Sequence, residues 1–110
     1  MMFSNETDEM IDVYRHNGKY DKIGQFLAKD ILEILIEEKP TLKDYDTIKI
    51  VKVYLNSFKY DENGRLPQQI ITYQVSISCM FKGFVVGGSE YIEDLPQKIR
   101  QRKLEKILNE

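Results

Sequence analysis

From Ile71 to Phe81 every second residue is apolar: Ile71, Tyr73, Val75, Ile77, Cys79 and Phe81 alternate with Thr72, Gln74, Ser76, Ser78 and Met80. Successive side chains of an extended chain point to opposite faces, so this run reads as a strand with one face in a core and the other in water. An antiparallel sheet with one solvated side accepts such a strand. A parallel sheet covered on both faces does not, because its strands are apolar throughout. The rest of the chain has to supply the layer that covers the apolar face.

The neighbouring segments extend the sheet. Ile48 to Tyr60 also has period two and is rich in β-branched and aromatic residues. It sets Val51, Val53 and Leu55 on one face and Tyr54, Phe58 and Tyr60 on the other. The intervening Asp61-Glu62-Asn63-Gly64-Arg65 has the Asn-Gly signal of a hairpin turn. Downstream, Lys82-Gly83 suits a two-residue turn, which makes Phe84 to Glu90 a further strand; a bulge at Gly83 within one long strand is the alternative.

Helical spacing dominates elsewhere. Met10, Ile11 and Tyr14 share a face by the i, i+3, i+4 rule, which predicts a helix from about Glu6 to His16 that Asn17-Gly18 closes. Ile23, Phe26, Leu27, Ile31, Ile34 and Leu35 make a longer stripe, which Leu32 and Ile36 widen. They predict a helix from about Tyr20 to Glu38, buried on two sides and stopped by Pro40. A last helix starts after Asp94, with Pro96 in its first turn and Gln97 completing a capping-box pattern, and runs to about Leu108. The expected fold is therefore α+β in the order ααβββα, with an antiparallel sheet of three strands, or four, packed on helices. A chain of 110 residues without a Pro/Gly/Ser-rich divider reads as one domain, 1–110.

The residues offer little catalytic equipment. His16 is the single histidine and sits where a cation favours a helix C-terminus; Cys79 falls on the apolar face of a strand. One His and one Cys cannot build the usual structural zinc site, so neither metal nor cofactor is expected. The acidic pairs Asp44/Asp46, Asp61/Glu62 and Glu93/Asp94 lie at turns and helix starts, where carboxylates serve local backbone groups. Gly83, Gly87 and Gly88 match no phosphate-loop spacing, and Glu90, Glu93 and Asp94 beside them would repel an anion. The sequence points away from an enzyme.

Charge and aromatic placement point to binding instead. Residues 1–48 carry 6 basic and 11 acidic side chains, whereas residues 49–110 carry 10 basic and 7 acidic. An acidic front and a basic back satisfy one another internally or attract a second copy. Tyr54, Phe58 and Tyr60 are the expected anchors of a protein interface, the partner being the chain itself as a homo-oligomer. The alternative partner is nucleic acid, contacted through Lys98, Arg100, Arg102, Lys103 and Lys106 of the last helix. No run reaches the apolar length that spans a bilayer, and Met1 to Glu9 has no secretory pattern, so a cytoplasmic site is expected. A single Ala, no Trp and abundant Ile and Lys fit AT-rich coding, as in small accessory proteins of phages or mobile elements.

Two features resemble known families. Lys82-Gly83-Phe84 resembles the opening of the aromatic strand motif of RNA-recognition-motif domains, but Val85 and Val86 depart from its continuation and no strand is expected before the first long helix. The order αβββα resembles the double-stranded-RNA-binding domain, whose second helix opens on a lysine cluster; the corresponding stretch here, Glu90 to Asp94, is acidic. Neither resemblance extends to the contact residues, and no family is assigned.

Overall fold

A computed structural model describes residues 2–16, 20–59 and 70–108. Along the chain run β1 (Met2–Phe3), β2 (Met10–His16), β3 (Tyr20–Leu27), α1 (Ala28–Glu38), a 3-10 turn (Pro40–Asp44), β4 (Thr47–Lys59), β5 (Ile70–Phe81), β6 (Phe84–Glu93) and α2 (Leu95–Leu108). The fold is α+β, as expected, but its order and sheet differ from the sequence reading. The described strands make one mixed six-stranded sheet in the order β3-β2-β4-β5-β6, with β1 paired to β4.

The back half follows the sequence closely. β4 and β5 pair antiparallel, and β5 continues into β6 through Lys82-Gly83. Lys82 (φ 49) and Gly83 (φ 83) both take the left-handed conformation, as in the mirror-image turn whose twist matches that of the strands. The separate-strand reading of Phe84 onward is the one realised, and it extends to Glu93. The Asp61–Arg65 turn lies outside the described residues.

The front half is where local pattern misleads. Met10–His16 is a strand rather than a helix: Ile11 and Val13 enter the core while Asp12 and Tyr14 face out. Met10, Ile11 and Tyr14 fit helical spacing, but over so short a window period two fits as well. Pairing decides: β2 lies parallel to β4 through Val13↔Val53 and antiparallel to β3 through Ile11↔Phe26. The helix expected from Tyr20 instead begins at Ala28, the chain's single alanine and the best helix former, after Leu27 in extended conformation (φ −66, ψ 128). It ends at Glu38, since Lys39 precedes Pro40 and is turned out of the helix. The Asn17-Gly18 dipeptide lies outside the described residues.

Two bulges set which side chains are inside. In β4, Ile50 faces Ile77 and Lys52 faces Ser76, so Val51 is an extra residue. The buried set therefore changes parity, from Ile48 and Ile50 to Val53, and Val51 is exposed rather than aligned with Val53 as expected. In β3 the shift beside Val13 leaves Ile23 extra and exposed. One core joins Ile11, Val13, Ile48, Ile50, Val53, Tyr73, Val75, Ile77 and Ile92 of the sheet to Ile31 and Leu35 of α1 and Leu95 and Ile99 of α2. Each such side chain, fully buried, stabilises the fold by about 2 kcal/mol. Both helices thus cover one face of the sheet. No described helix covers the other face.

A buried asparagine completes the sheet. β1 and β2 run parallel to the same edge of β4, β1 meeting Thr47 and Ile48 and β2 meeting Val53, Tyr54 and Leu55. Between them, among the described residues, Ile50 has no strand on that side. Asn5 stands in for one: its Oδ1 accepts the Ile50 N–H (2.7 Å) and its Nδ2 donates to the Ile50 carbonyl (2.9 Å). Glu9 accepts a further bond from Nδ2 (2.6 Å), and the Glu9 carbonyl accepts the N–H of Ala28, the first residue of α1. Asn5→Ala would leave two buried main-chain groups unpaired, at a cost of about 2–4 kcal/mol. Urea unfolding followed by circular dichroism should show that loss; a change within about 0.5 kcal/mol would contradict the role given to Asn5.

Candidate functional site

The basic residues of α2 face the acidic residues of α1. Lys98 pairs with Glu38 and Arg102 with Glu37; Arg102 Nε also lies 3.7 Å from Glu33. Lys106 reaches Glu33 at 3.2 Å and Lys103 reaches Asp30 at 3.4 Å. Four of the five cations proposed to meet nucleic acid thus lie against α1. Arg100 is exposed, and no ion pair joins it to an acid among the described residues. Here the acidic front and basic back of the sequence meet within one chain. Exposed pairs contribute little singly, but Arg102 serves two acids at once. Arg102→Ala should lower stability by about 1 kcal/mol and Arg100→Ala by less than about 0.5 kcal/mol, read from urea midpoints. Equal effects would mean that the pairing has no energetic consequence.

Of the aromatic anchors proposed, Tyr54 is half-buried on the solvent face of the sheet; Tyr60 and the Phe58 side chain lie outside the described residues. Its neighbour is Tyr14, from a segment read as helical: their ring centroids are 6.1 Å apart and tilted by 33°. Tyr91 of β6 is on the same face and 51% exposed. Register alone sets Tyr14 beside Tyr54 and, across Gln74, places Tyr91 in the same row, and no spacing within the sequence signals it.

The two edges of the sheet differ in chemistry. β3 carries Asp21, Lys22 and the bulged Ile23, features that discourage another strand from pairing there. β6 pairs with β5 from Phe84 to Glu93 with no register shift. From Phe84 to Ser89 it has neither charge nor proline, and Phe84 and Val85 are 74% and 71% exposed. The two-residue turn makes Phe81↔Phe84 a hydrogen-bonded pair, so by alternation Val85, Gly87, Ser89 and Tyr91 turn their main-chain groups to the outer edge, where no described strand pairs with them. Gly87 and Gly88 have open space where a Cβ would stand; they bare the strand without any crowding that requires glycine.

The remaining candidates have structural positions. Asp46 accepts the Lys82 N–H at 2.8 Å and so holds the β5–β6 turn, while Asp44 ends the 3-10 turn in solvent. Asp94 (φ 50) precedes α2, and its carbonyl accepts the Lys98 N–H. Asp61, Glu62 and the His16 side chain lie outside the described residues. Among the described residues no three metal-ligating side chains cluster. Nor is any described helix long and apolar enough to cross a membrane. Cys79 is buried against the core, and burial, reinforced by the nearby Glu90 charge, raises its thiol pKa. In the folded protein at pH 8 it should resist a thiol-specific disulfide reagent and react once urea unfolds the chain. Rapid labelling of the native state would contradict this placement.

No family model matches the sequence, and no curated protein or solved structure matches it either.

Proposed function

We propose that this protein works by binding rather than catalysis, and that it associates with a second copy of itself through the free edge of β6. The observation that carries this reading is the unprotected edge: an unbroken apolar strand end whose main-chain groups at Val85, Gly87, Ser89 and Tyr91 face outward. Such an edge is a template for strand addition. Two copies joined edge to edge in antiparallel fashion are related by a two-fold axis perpendicular to the sheet. That operation pairs residues of like parity, so the helices of both copies lie on one side of a continuous sheet. Phe84, Val85 and Val86 would then be covered by the partner strand and its side chains. The internal pairing of α1 with α2 leaves charge a smaller part in assembly than the sequence implied. A small accessory protein of a phage or mobile element, acting in the cytoplasm, suits this size and composition.

Light scattering across a range of concentrations should give a dimer that dissociates on dilution. Val85→Pro removes an outward N–H without touching the β5–β6 ladder and should yield a monomer with an unchanged circular dichroism spectrum. Val85→Lys, which keeps the backbone free, should do the same by placing charge on the edge. A wild-type protein that remains monomeric at millimolar concentration, or two variants that dimerise as tightly as the parent, would overturn the proposal.

A further inference from the structure

The face of the sheet opposite the helices has a composition distinct from that of the β6 edge. One row crosses it strand by strand: Lys22 of β3 faces Tyr14 of β2, Tyr14 faces Tyr54 of β4, Tyr54 faces Gln74 of β5, and Gln74 faces Tyr91 of β6. With neighbouring strands about 4.8 Å apart, Tyr14 and Tyr91 stand about 14 Å from one another. Beside this row lie Lys52, opposite Ser76, and Lys49, opposite Ser78. The Lys52 ammonium is 5.8 Å from the centre of the Tyr14 ring. Both lysines are exposed, and no ion pair joins either to an acid among the described residues.

Acids sit at the two margins. At one, Asp12 is held by Gln25 (2.8 Å), Lys22 (3.1 Å) and the Tyr14 hydroxyl (3.3 Å). The Gln25 hydrogen bond, then Lys22, lowers its pKa, so its charge is already engaged. At the other, Glu93 lies two residues beyond Tyr91, at the end of β6.

We infer that this face is a binding platform for single-stranded nucleic acid, with bases stacking on Tyr14, Tyr54 and Tyr91 and phosphates meeting Lys49 and Lys52. Aromatic rings accept any unstacked base, and lysines between them follow a phosphate backbone. A sheet face bearing exposed aromatic rings can receive the splayed bases of a single strand, which a duplex keeps stacked. A protein partner fits less well, because lysine is depleted from the centres of protein interfaces and here Lys52 lies over the row itself. Pairing through β6 would leave this face open on each copy, so the two proposals stand apart.

The test is fluorescence anisotropy with labelled oligothymidylate and oligouridylate of about 15 nucleotides, with a duplex of the same length as control. Binding to the single strands should appear at micromolar protein in about 50 mM salt and weaken about sevenfold at about 200 mM, as release of counterions by two lysines requires. Tyr91→Ala, an exposed position whose folding is checked by circular dichroism, should weaken binding about 5- to 100-fold. Lys52→Glu should weaken it and flatten the salt dependence. The Val85→Pro variant should bind as the parent does, which separates this platform from edge pairing. No anisotropy change at about 100 μM protein in low salt would overturn the inference, as would binding that survives both Tyr91→Ala and Lys52→Glu. So would a face that captures unstructured peptides and no oligonucleotide.

Discussion

The rest of the sheet depends on the amide of Asn5 and its two hydrogen bonds to Ile50. β4 is the strand on which the others assemble, and its front edge is shared by two segments that never meet, β1 and β2. Neither supplies a partner to Ile50, whose main chain lies in the interior beside a bulge. A side-chain amide offers one donor and one acceptor in roughly the spacing of a peptide group, so it can stand in for a missing strand residue. The bulge at Val51 and the plug at Asn5 act as one device: the first shifts the parity of β4, the second satisfies the group exposed where the shift begins. Because the Glu9 carbonyl receives the first N–H of α1, the same loop also fixes where the helical layer starts.

Charge does a different job. α1 and α2 each have an apolar side in the core, and the seam beside it is lined by acids from one helix and bases from the other. Lysine and arginine stems cover apolar surface while their heads stay wet, so this seam orients α2 at little desolvation cost. Leu104 is exposed between Lys103 and Lys106 of that seam, and Ile107 and Leu108 are exposed beyond its last ion pair.

The back half of the fold was legible because its signals are local. Ile71 to Phe81 alternates without a break, Lys82-Gly83 is a turn by its own chemistry, and Pro96 opens a helix. The front half was not, for a physical reason. Met10–His16 and Tyr20–Leu27 are short, one is interrupted by a bulge at Ile23, and both meet helical spacing by coincidence. Their strand character comes from β2 lying parallel to β4, a contact some forty positions away that no window of sequence contains. A signal was present in Asn17-Gly18, the same dipeptide that marked a hairpin at Asn63-Gly64, between two apolar runs. The surfaces divide the same way. The cations of α2 and Tyr54 were visible as residues, but their neighbours were not: Glu33 and Glu37 on one side, Tyr14 and Gln74 on the other.

The unlike edges of the sheet carry a consequence for stoichiometry. A sheet open at both ends has a valence of two, and its copies can add without limit into a ribbon or fibre. Asp21, Lys22 and a bulge guard β3, so of the two outer strands described β6 alone offers a long bare edge. In the pairing proposed for β6, each copy uses the one long bare edge among its described strands, so growth would terminate at the first encounter and the apolar strand would act as a closure rather than a seed.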